Sequence, residues 1–431
     1  MIKNHDELHE ECGVVAIWGD DNAAQLTYYG LHSLQHRGQE AAGIVVRNNK
    51  RKLNIHKGEG LVSEVFDKEK IEKLSGNAAI GHVRYSTAGG GGIMNVQPFL
   101  FRTLDGMMGI AHNGNIVNAN LLKKELEENG SIFNSTSDTE VLGHLIKRET
   151  GRFVDRICKS LEKIDGAFAF VILVEDALYV ARDRYGLRPL SMGRLPSGGY
   201  MFSSETCALD IAGAEYVRDV EPGEIIRVKD GIIKSKKYTE TLPICNKLCA
   251  MEYIYFSRPD SNLDGINVHT ARKTCGKTLF EEAPVEADLV IGVPDSSISA
   301  AIGYSEASGI PYEMGLIKNK YVGRTFIQPT QEMRERGVRM KLSAVSSIVK
   351  GKRVIMIDDS IVRGTTSKRI VKLLKEAGAT EVHVRIASPA IKFPCFYGVD
   401  ISTLEELISH RMNVEELCQF IEADSLAFIS M

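Results

Sequence analysis

The sequence predicts two domains of different fold class, an α+β domain followed by an α/β domain with a parallel sheet. Residues 12 to about 235 consist of short β-rich runs, separated by Gly-rich or Asn-rich turns and a few amphipathic helices. From about residue 250, apolar strand patterns (DLVIGV, RVIMI and EVHVRIAS) alternate with helices, which is typical of a doubly wound parallel sheet. We therefore expect a domain boundary between about residues 235 and 250.

Six β-rich runs are expected to form the sheets of the first domain. Each combines β-branched or aromatic residues with turn residues on either side. The predicted strands are Val14–Trp18, Ala42–Arg47, Ala79–His82, Gly109–His112, Phe168–Val174 and Ala177–Ala181.

The composition is that of an ordinary globular protein. Hydrophobic residues make up 43% and charged residues 25%, and a net charge of −3 gives no reason to expect nucleic acid as a partner. No apolar run approaches the roughly 20 residues that cross a bilayer, and the N-terminus lacks the features of a secretory signal. The 8 cysteines are spread too thinly for a disulfide framework, so free thiols in the cytoplasm are expected.

The strongest chemical signal lies between a strand and a helix of the second domain. RVIMIDDSIVRGTTSKRIVKLLKEAG, residues 353–378, begins as a buried strand and continues into a helical stripe that Gly378 closes. Open α/β sheets bind ligands at this carboxyl edge. The polar residues at that edge are Asp358, Asp359, Arg363, Gly364, Thr365, Thr366 and Ser367.

These polar residues suit a phosphate ligand. The run 363–367 can present backbone N–H groups and hydroxyls at a helix N-terminus, where a phosphate monoester binds well. Asp358 and Asp359 would repel a phosphate directly, so they suit ribose hydroxyls or a bridging Mg²⁺. A solvated loop with a Thr or Ser N-cap is the alternative, and it fits two acids beside a buried strand poorly.

The segment closely resembles the phosphoribosyl pyrophosphate (PRPP) loop of type I phosphoribosyltransferases. In VIGVPDSS, residues 290–297, a strand leads into a hydroxyl-rich loop, and the resemblance implies pyrophosphate binding there with Ser296 near the metal. Residues 318–342 are rich in Lys and Arg and, by the same resemblance, form a lid over PRPP, although a charged surface loop is the alternative. The candidate lid residues are Arg324, Arg336 and Lys341.

Cys12 stands between an acidic leader and the first predicted strand. A cysteine at a free N-terminus can use its own α-amine as the base, so removal of residues 1–11 as a propeptide would give it both nucleophile and base. A buried structural cysteine at the edge of a strand is the alternative.

Five motifs, in order, favour the catalytic interpretation. CGVVAIWG, LQHRGQEAAGI, GHVRYSTAG, AHNGNIVN and TSDTE closely resemble the glutaminase domain of class II, N-terminal-nucleophile amidotransferases. That resemblance implies an αββα sandwich over residues 12–240, followed by a phosphoribosyltransferase domain over residues 241–431.

Each motif of the first domain has a chemical interpretation. Arg84 could clamp the glutamine α-carboxylate, and Asp138 could accept the α-ammonium. Asn113 and Gly114 can donate N–H bonds to a tetrahedral oxyanion. Asn-Gly is also a strong hairpin signal, and Ser137-x-x-Glu140 matches a capping box. Three further residues are expected to shape the glutamine pocket: Arg37, Gly38 and Thr87.

Together the two parts resemble the glutamine phosphoribosylpyrophosphate amidotransferase family, a match that EYIYFSRPDS at residues 252–261 strengthens. The family's reaction would release ammonia from glutamine at Cys12 and transfer it to C1 of PRPP. The products would be 5-phosphoribosylamine, pyrophosphate and glutamate, in the first step of purine synthesis. We expect the lid and residues 252–261, including Tyr255 and Tyr321, to line a dry passage for ammonia.

Cofactors and partners follow from the same resemblance. It implies Mg²⁺, inhibition by purine nucleotides near the PRPP site, and a homo-oligomer, either a dimer or a tetramer. One branch of the family carries a [4Fe–4S] cluster on four cysteines. Cys249 and Cys395 match two of those positions, the other two lie in a tail beyond this sequence, and Cys245 and Cys418 are possible substitutes.

Two other functions stay open at this stage. The first is a glutaminase whose second domain binds PRPP only as a regulator. The second is a binding protein in which both sites are relics, although every catalytic residue type is retained. Release of pyrophosphate that depends on both glutamine and PRPP would distinguish the transferase from both alternatives.

Overall fold

A computed structural model describes residues 12–85, 92–319, 342–399 and 403–431. In the first domain two antiparallel sheets pack face to face. The larger sheet has seven strands: β1 (Gly13–Trp18), β2 (Ala41–Arg47), β3 (Leu53–Glu59), β4 (Ala78–Arg84), β9 (Ser191–Arg194), β10 (Tyr200–Ser203) and β11 (Glu215–Asp219). They run in the order β11-β9-β10-β1-β4-β2-β3, which puts β1 in the middle of the sheet.

The second sheet of this domain has six strands. They are β5 (Phe99–Thr103), β6 (Gly106–Ile116), β7 (Gly166–Val174), β8 (Leu178–Arg182), β12 (Glu224–Lys229) and β13 (Ile232–Lys237). Their order in the sheet is β13-β12-β8-β7-β6-β5.

Helices cover the outer face of each sheet. Ala23–Ser33, Val62–Val65, Lys68–Lys73 and Thr206–Ile211 cover the seven-stranded sheet, and Ala119–Glu128, Thr139–Arg148 and Phe153–Glu162 cover the six-stranded one. Strand β1 is buried on both faces: Val14 and Ala16 pack between the sheets, while Val15 and Ile17 pack against the helices. This two-sided burial explains why the β1 sequence is apolar throughout. The αββα sandwich predicted from the resemblance is confirmed.

The second domain is built on a parallel sheet. Its strands β16 (Leu289–Gly292), β19 (Arg353–Asp358), β20 (Glu381–Ile386) and β21 (Ser425–Phe428) lie side by side in that order. Two short antiparallel pairs flank it: β14 (Asn262–Leu263) with β15 (Ile266–Asn267), and β17 (Leu316–Lys318) with β18 (Leu342–Ala344). The helices are Val268–Glu282, Ile298–Ser308, Ser346–Val349, Thr365–Glu376, Ile408–Arg411 and Val414–Ile421.

Helices lie on both faces of the parallel sheet, as the βα alternation predicts. Leu279 and Tyr304 pack on one face, from helices Val268–Glu282 and Ile298–Ser308. Ile370 and Leu417 pack on the other. Between the domains, the chain passes through a π-helical turn, Glu252–Phe256. Short 3₁₀ turns lie at Ile93–Asn95 and Leu404–Glu406.

The structure tests the local predictions in detail. All six strands predicted in the first domain are present with boundaries within a few residues, and Gly378 follows the helix Thr365–Glu376 in a positive-φ conformation. The hairpin interpretation of Asn113-Gly114 is wrong. Both residues lie inside β6, paired with Ala169 and Phe168, because β6 continues to Ile116.

The capping-box interpretation of Ser137 and Glu140 is also wrong. The helix N-cap is Asp138, and its side chain makes no capping hydrogen bond. The Glu140 carboxylate instead accepts the backbone N–H groups of Asn134 and Ser135, at 2.9 and 2.8 Å. Glu140 therefore holds the preceding loop. Among the described residues no helix is long and apolar enough to cross a membrane.

Candidate functional sites

Cys12 directly precedes the central strand β1. Strands β1 and β4 are antiparallel, with Gly13 opposite Val83, so Cys12 lies at the carboxyl end of β4. Its Sγ is 3.5 Å from the main-chain oxygen of Tyr85. The residue is partly exposed, unlike the strand that follows it. A thiol at the accessible end of a buried strand can contact a substrate. A cysteine that serves only packing would not need this exposure.

Arg84, the last residue of β4, is next to this end of β1. It is buried. Burial of Lys57, and then the charge of Arg84, hold the pKa of Lys57 below its ordinary value. Burial and then Arg84 also lower the pKa of His82 to about 3. The Arg84 guanidinium thus places a positive charge at this end of the sheet, which suits a carboxylate ligand. Gly38 packs against Arg84, where a Cβ would lie 2.7 Å from its main-chain N and C atoms, so only glycine permits this approach.

Arg37 lies beside Cys12, but its guanidinium is committed to protein partners. Its Nε donates to the main-chain oxygen of Cys12 at 3.1 Å. Its terminal nitrogens bind Glu205 at 2.7 Å and Glu252 at 2.8 and 2.9 Å. The expected contribution of Arg37 to the glutamine pocket is therefore support of Cys12, and Thr87 lies outside the described residues.

Asn113 is completely buried in β6, yet neither polar atom of its side chain has a hydrogen-bond partner among the described residues. It is linked to the Cys12 end of the sandwich through His82, which lies opposite Val14 and whose Nε2 is 3.1 Å from the His112 main-chain oxygen. An unsatisfied buried amide is costly unless a ligand uses it. Gly114 follows with φ +139°, a conformation that side chains rarely adopt.

Asp138 lies over the same strand. Its Oδ2 accepts the Ile116 N–H at 2.8 Å, and its Oδ1 is 3.7 Å from His112 Nδ1. Burial by itself raises the pKa of the Asp138 carboxyl, but His112 and the hydrogen bonds outweigh burial and lower it. The carboxylate is thus held ionised, as a partner for an α-ammonium must be.

The second site is at the carboxyl edge of the parallel sheet, as predicted. Asp358 ends β19, and both it and Asp359 are nearly buried, at 7% and 8% exposure. The loop after β16 faces them: Ser297 Oγ donates to Asp358 at 3.3 Å, and Ser296 Oγ donates to Asp359 in a short hydrogen bond. Burial, and then the charge of Asp359, raise the pKa of Asp358 well above its ordinary value.

Gly364 caps the helix Thr365–Glu376 next to these acids. It has φ +76°, which lets the chain turn into the helix. Thr365 Oγ1 is buried with no hydrogen-bond partner among the described residues, and Ser367 is buried as well. A helix N-terminus with a buried, unpaired hydroxyl is an arrangement that favours phosphate binding.

Other predicted ligands of PRPP are placed differently or not described. The Arg363 guanidinium is 2.8 Å from Glu406, so it is paired within the protein. Arg324, Arg336 and Lys341, and also Tyr321 of the expected passage, lie outside the described residues.

The donor set at Asp358, Asp359, Ser296 and Ser297 fits Mg²⁺. The ion prefers oxygen ligands and commonly uses one or two carboxylates together with substrate phosphates. Burial, and then repulsion by the adjacent Asp359 carboxylate, raise the pKa of Asp358, and a bound cation would offset both effects.

The cysteines fit an iron–sulfur cluster less well. Such a cluster normally needs four thiolates. Among the described residues no group of three or more His, Cys, Asp or Glu side chains could hold a metal. Cys395 Sγ accepts the Tyr397 N–H at 3.3 Å, and Cys418 Sγ is 3.3 Å from the Ala423 oxygen. Cys249 and Cys245 are partly buried.

Sequence reasoning missed a set of buried charges near Cys12. Glu205, Glu252 and Arg188 are nearly or fully buried, and all three join the Arg37 network. The EYIYFSRPDS motif contains Glu252, but nothing in the sequence pairs it with an arginine 215 positions earlier. The only available signal was a glutamate within an otherwise apolar turn.

Comparisons with known proteins identify a domain of known type in each half of the chain. A glutamine amidotransferase domain model matches residues 88–210, and a phosphoribosyl transferase domain model matches residues 270–389. The amidophosphoribosyltransferase of Bacillus subtilis is 62% identical over 100% of this chain and 90% of its own length. That of Staphylococcus aureus Mu50 is 55% identical over 99% of this chain and 86% of its own.

Two solved structures have the same architecture. One is the B. subtilis glutamine PRPP amidotransferase complexed with ADP and GMP, with a TM-score of 0.92 and 60% identity over 97% of this chain and 91% of that one. The other, described as the allosteric regulatory enzyme of purine biosynthesis, has a TM-score of 0.93 and 61% identity over 97% and 90%. The chain therefore belongs to the amidophosphoribosyltransferase family, in which a glutaminase domain and a phosphoribosyltransferase domain together carry out the first step of purine biosynthesis.

Proposed function

We propose that the family reaction is divided between the two sites, with Cys12 as the glutaminase nucleophile. The observation that carries this is the partly exposed thiol at the end of β1, with the orphan amide of Asn113 buried in the facing sheet. Cleavage of residues 1–11 would free the Cys12 α-amine to serve as the base. The domain limits 1–11, 12–240 and 241–431 belong to this proposal.

In the first half-reaction the substrate would be held at both ends. Arg84 binds the α-carboxylate of glutamine, and Asp138 binds its α-ammonium. The Cys12 thiol transfers its proton to the α-amine and attacks the side-chain carboxamide, and Asn113 and Gly114 donate hydrogen bonds to the oxyanion. The thioester forms as ammonia leaves, and water then releases glutamate.

In the second half-reaction PRPP lies at the carboxyl edge of the parallel sheet. The first turn of helix Thr365–Glu376 binds the 5-phosphate, and Ser296 lies near the pyrophosphate. Asp358 and Asp359 would hold Mg²⁺, which supplies charge stabilisation for the departing pyrophosphate when bound. Arg324, Arg336 and Lys341 are proposed to close over it. Ammonia attacks C1 of the ribose, and 5-phosphoribosylamine forms.

A small cavity supports a passage for ammonia beside this site. It has a volume of about 20 Å³, just enough for one water or ammonia molecule. Tyr253 and Ile254 form part of one wall, and Ser296, Ser297 and Asp359 of the PRPP site form part of another. Its lining residues are Tyr253, Ile254, Arg272, Cys275, Ser296, Ser297, Ala300, Asp359 and Ala387.

We also propose regulation and assembly from the relatives. A structure of the B. subtilis relative contains ADP and GMP, so purine nucleotides are expected to bind at or beside the phosphate site of this chain. Dimers or tetramers in the cytoplasm are the expected state. A [4Fe–4S] cluster is not part of the proposal, because only Cys249 and Cys395 match the four ligand positions of the family.

The test measures pyrophosphate and glutamate release with each substrate omitted in turn. Pyrophosphate release that requires both PRPP and a nitrogen donor supports the transferase, and glutamate release alone supports the PRPP-regulated glutaminase. Mass spectrometry of the active protein should find Cys12 as its first residue. Full activity with Met1 in place would refute the assignment of the α-amine as base.

A further inference from the structure

A buried charge cluster joins the main chain of Cys12 to the turn between the domains. The cluster consists of Arg37, Arg188, Glu205 and Glu252, which are each 0–1% exposed. Arg37 binds both oxygens of Glu252, at 2.8 and 2.9 Å, and Oε1 of Glu205 at 2.7 Å. Arg188 Nη1 is 3.5 Å from Glu252 Oε1. Glu252 therefore contacts both arginines.

The third guanidinium nitrogen of Arg37, Nε, contacts the main chain of Cys12. Because the guanidinium is rigid and planar, a bidentate pair with Glu252 fixes the direction of its Nε–H as well. That Nε–H donates to the Cys12 main-chain oxygen at 3.1 Å. The hydrogen bond holds the Cys12 carbonyl, and β1 holds the chain that follows it. Together they also set the directions in which the α-nitrogen and the thiol of Cys12 point.

The pair with Arg37 has a well-defined geometry because it is buried. Burial by itself raises the pKa of the Glu252 carboxyl, but Arg37 outweighs burial and lowers it, so Glu252 is ionised. A buried carboxylate that loses its partner strongly destabilises the folded protein. The Glu252–Arg37 pair therefore has few alternative arrangements. Ser257 strengthens the arrangement, because its Oγ donates to Glu252 Oε2 at 2.7 Å.

The other side of the turn faces the PRPP site. Arg272, from helix Val268–Glu282, donates to the main-chain oxygens of Tyr253, Tyr255 and Ser257 at 2.6, 3.0 and 2.8 Å. Arg272 also lines the small cavity together with Tyr253 and Asp359. The turn that begins at Glu252 is thus held by the Cys12 network on one side and by the wall of the phosphoribosyl site on the other.

We propose that Glu252 is a positioning residue for glutamine hydrolysis, which acts through Arg37 on the main chain of Cys12. The same carboxylate ties the alignment of the nucleophile to the turn that borders the PRPP site. This inference rests on the proposed function, because it takes Cys12 as the nucleophile. It assigns no contact between Glu252 and glutamine.

The decisive variant is Glu252→Gln, with Glu224→Gln as the matched control. Glu224 is also buried and also bound by one arginine through both oxygens, Arg218 at 2.7 and 2.8 Å, but it lies in β12 outside the cluster. Steady-state rates are measured with glutamine and with free ammonia as the nitrogen donor. The ammonia rate depends only on a folded phosphoribosyl site, so it reports general damage.

Glu252→Gln should lower the glutamine-dependent kcat by about tenfold to a hundredfold, the usual cost of a small misplacement. The ammonia-dependent rate and the KM for glutamine should stay within about twofold, because neither PRPP nor glutamine contacts Glu252. Glu224→Gln should leave both rates unchanged. Equal losses of the two rates in Glu252→Gln, or a glutamine rate like that of the control, would overturn the proposal.

Ser257→Ala keeps the proposal testable if Glu252→Gln does not fold. It removes one hydrogen bond to Glu252 and keeps all charges, so the glutamine-dependent kcat should fall severalfold with the ammonia rate intact. An unchanged kcat counts against the proposal. Cys12→Ala distinguishes a failure of the proposed function from a failure of this inference. If Cys12→Ala retains glutamine-dependent activity, the proposed function fails. If Cys12→Ala is inactive with glutamine and Glu252→Gln has the parent's activity, only this inference fails.

Discussion

The two sites compensate their buried charges in opposite ways. Around Cys12 the buried carboxylates have basic partners within the protein. Against burial, His36 and then Arg37 lower the pKa of Glu205, and Arg37 and then Arg188 lower the pKa of Glu252. At the carboxyl edge of the parallel sheet, the Asp358 carboxylate accepts hydrogen bonds only from the Ser297 hydroxyl and the Asp359 N–H among the described residues. Its pKa is raised well above the ordinary value.

This difference matches the two ligands. Glutamine has no net charge at neutral pH, so a site for it can complete its own ion pairs and be rigid before the substrate arrives. PRPP is an anion that binds with a cation, so a site for it needs a carboxylate that no basic side chain neutralises, and among the described residues Asp358 is such a carboxylate. We therefore regard the glutaminase site as preorganised and the phosphoribosyl site as completed by its ligands.

Replacement of Cys12 by alanine is expected to give the largest difference between the glutamine-dependent and the ammonia-dependent rates. Cys12→Ala removes the nucleophile, so glutamine-dependent synthesis should fall below detection. Synthesis from free ammonia should persist, because the second site is unchanged. Pyrophosphate release with each nitrogen donor measures both rates. Loss of the ammonia-dependent rate as well would mean that the two sites are not separable in this way.

Asn113→Ala tests the preorganised oxyanion site. Removal of one oxyanion donor typically lowers kcat about 10²–10³-fold, and the ammonia-dependent rate should not change. Because the Asn113 amide makes no hydrogen bond among the described residues, its loss should not lower the Tm.

Asn95→Ala supplies the contrast to that variant. Asn95 is also buried, but its side chain binds Thr136 through both polar atoms, at 2.9 and 3.0 Å. Its loss should lower the Tm in a calorimetric scan. A Tm that falls as much in Asn113→Ala would show that the Asn113 amide has a structural role.

Asp359→Asn should lower both rates, by about a hundredfold or more, since charge stabilisation by a bound cation contributes several kcal/mol. Synthesis from glutamine and synthesis from free ammonia both end with attack of ammonia on PRPP, so the nitrogen donor should make no difference. Asp288→Asn is the control, at the amino end of the same sheet, where Asp288 binds the Arg353 N–H at 2.8 Å. A selective loss of the glutamine rate in Asp359→Asn would contradict the division.

The sequence predicted the ends of strands better than it predicted the contacts between distant segments of the chain. Val14–Trp18 and RVIMIDD could be interpreted locally, because a buried strand followed by polar residues predicts both the strand and its exposed end. The Asn113-Gly114 prediction shows the limit. The dipeptide favours a turn, but pairing with Ala169 and Phe168 keeps it in a strand, and only the sheet as a whole decides this.

The charge cluster could not be predicted from the sequence for a similar reason. Arg37, Glu205 and Glu252 come from three distant parts of the chain, and their pairing depends on how the domains pack. Arg37 was assigned to the glutamine pocket from its motif, whereas its contacts place it behind Cys12. Motifs thus predicted which residues belong to one site, whereas the tertiary structure determines which partners each side chain has.

Asp358→Asn should stabilise the metal-free protein. The raised pKa means that folded Asp358 keeps its proton to higher pH than the unfolded chain does, whose aspartate pKa is about 3.9. Stability is therefore lost as pH rises from about 4 through the raised pKa, and asparagine removes this loss. At pH 7 with a chelator, the Tm should rise by a few degrees.

The pH dependence is the check on this prediction. The difference in Tm between Asp358→Asn and the parent should vanish near pH 4, where both forms are uncharged at this position. Asp288→Asn should show no such gain, because the bonds to Arg353 lower the pKa of Asp288. A lower Tm for Asp358→Asn at neutral pH would mean that favourable interactions within the parent protein already stabilise the Asp358 carboxylate.

Thr365→Val is the smallest and most local test of a site completed by its ligand. Valine keeps the shape of threonine, and the Thr365 hydroxyl has no hydrogen-bond partner among the described residues, so the Tm without ligand should not fall. The KM for PRPP should rise about tenfold, which corresponds to the loss of one hydrogen bond to a charged group. Thr270→Val, in the first turn of helix Val268–Glu282, should leave this KM unchanged. If Thr365→Val also leaves it unchanged, the phosphate is held by main-chain N–H groups alone, and the orphan hydroxyl needs another explanation.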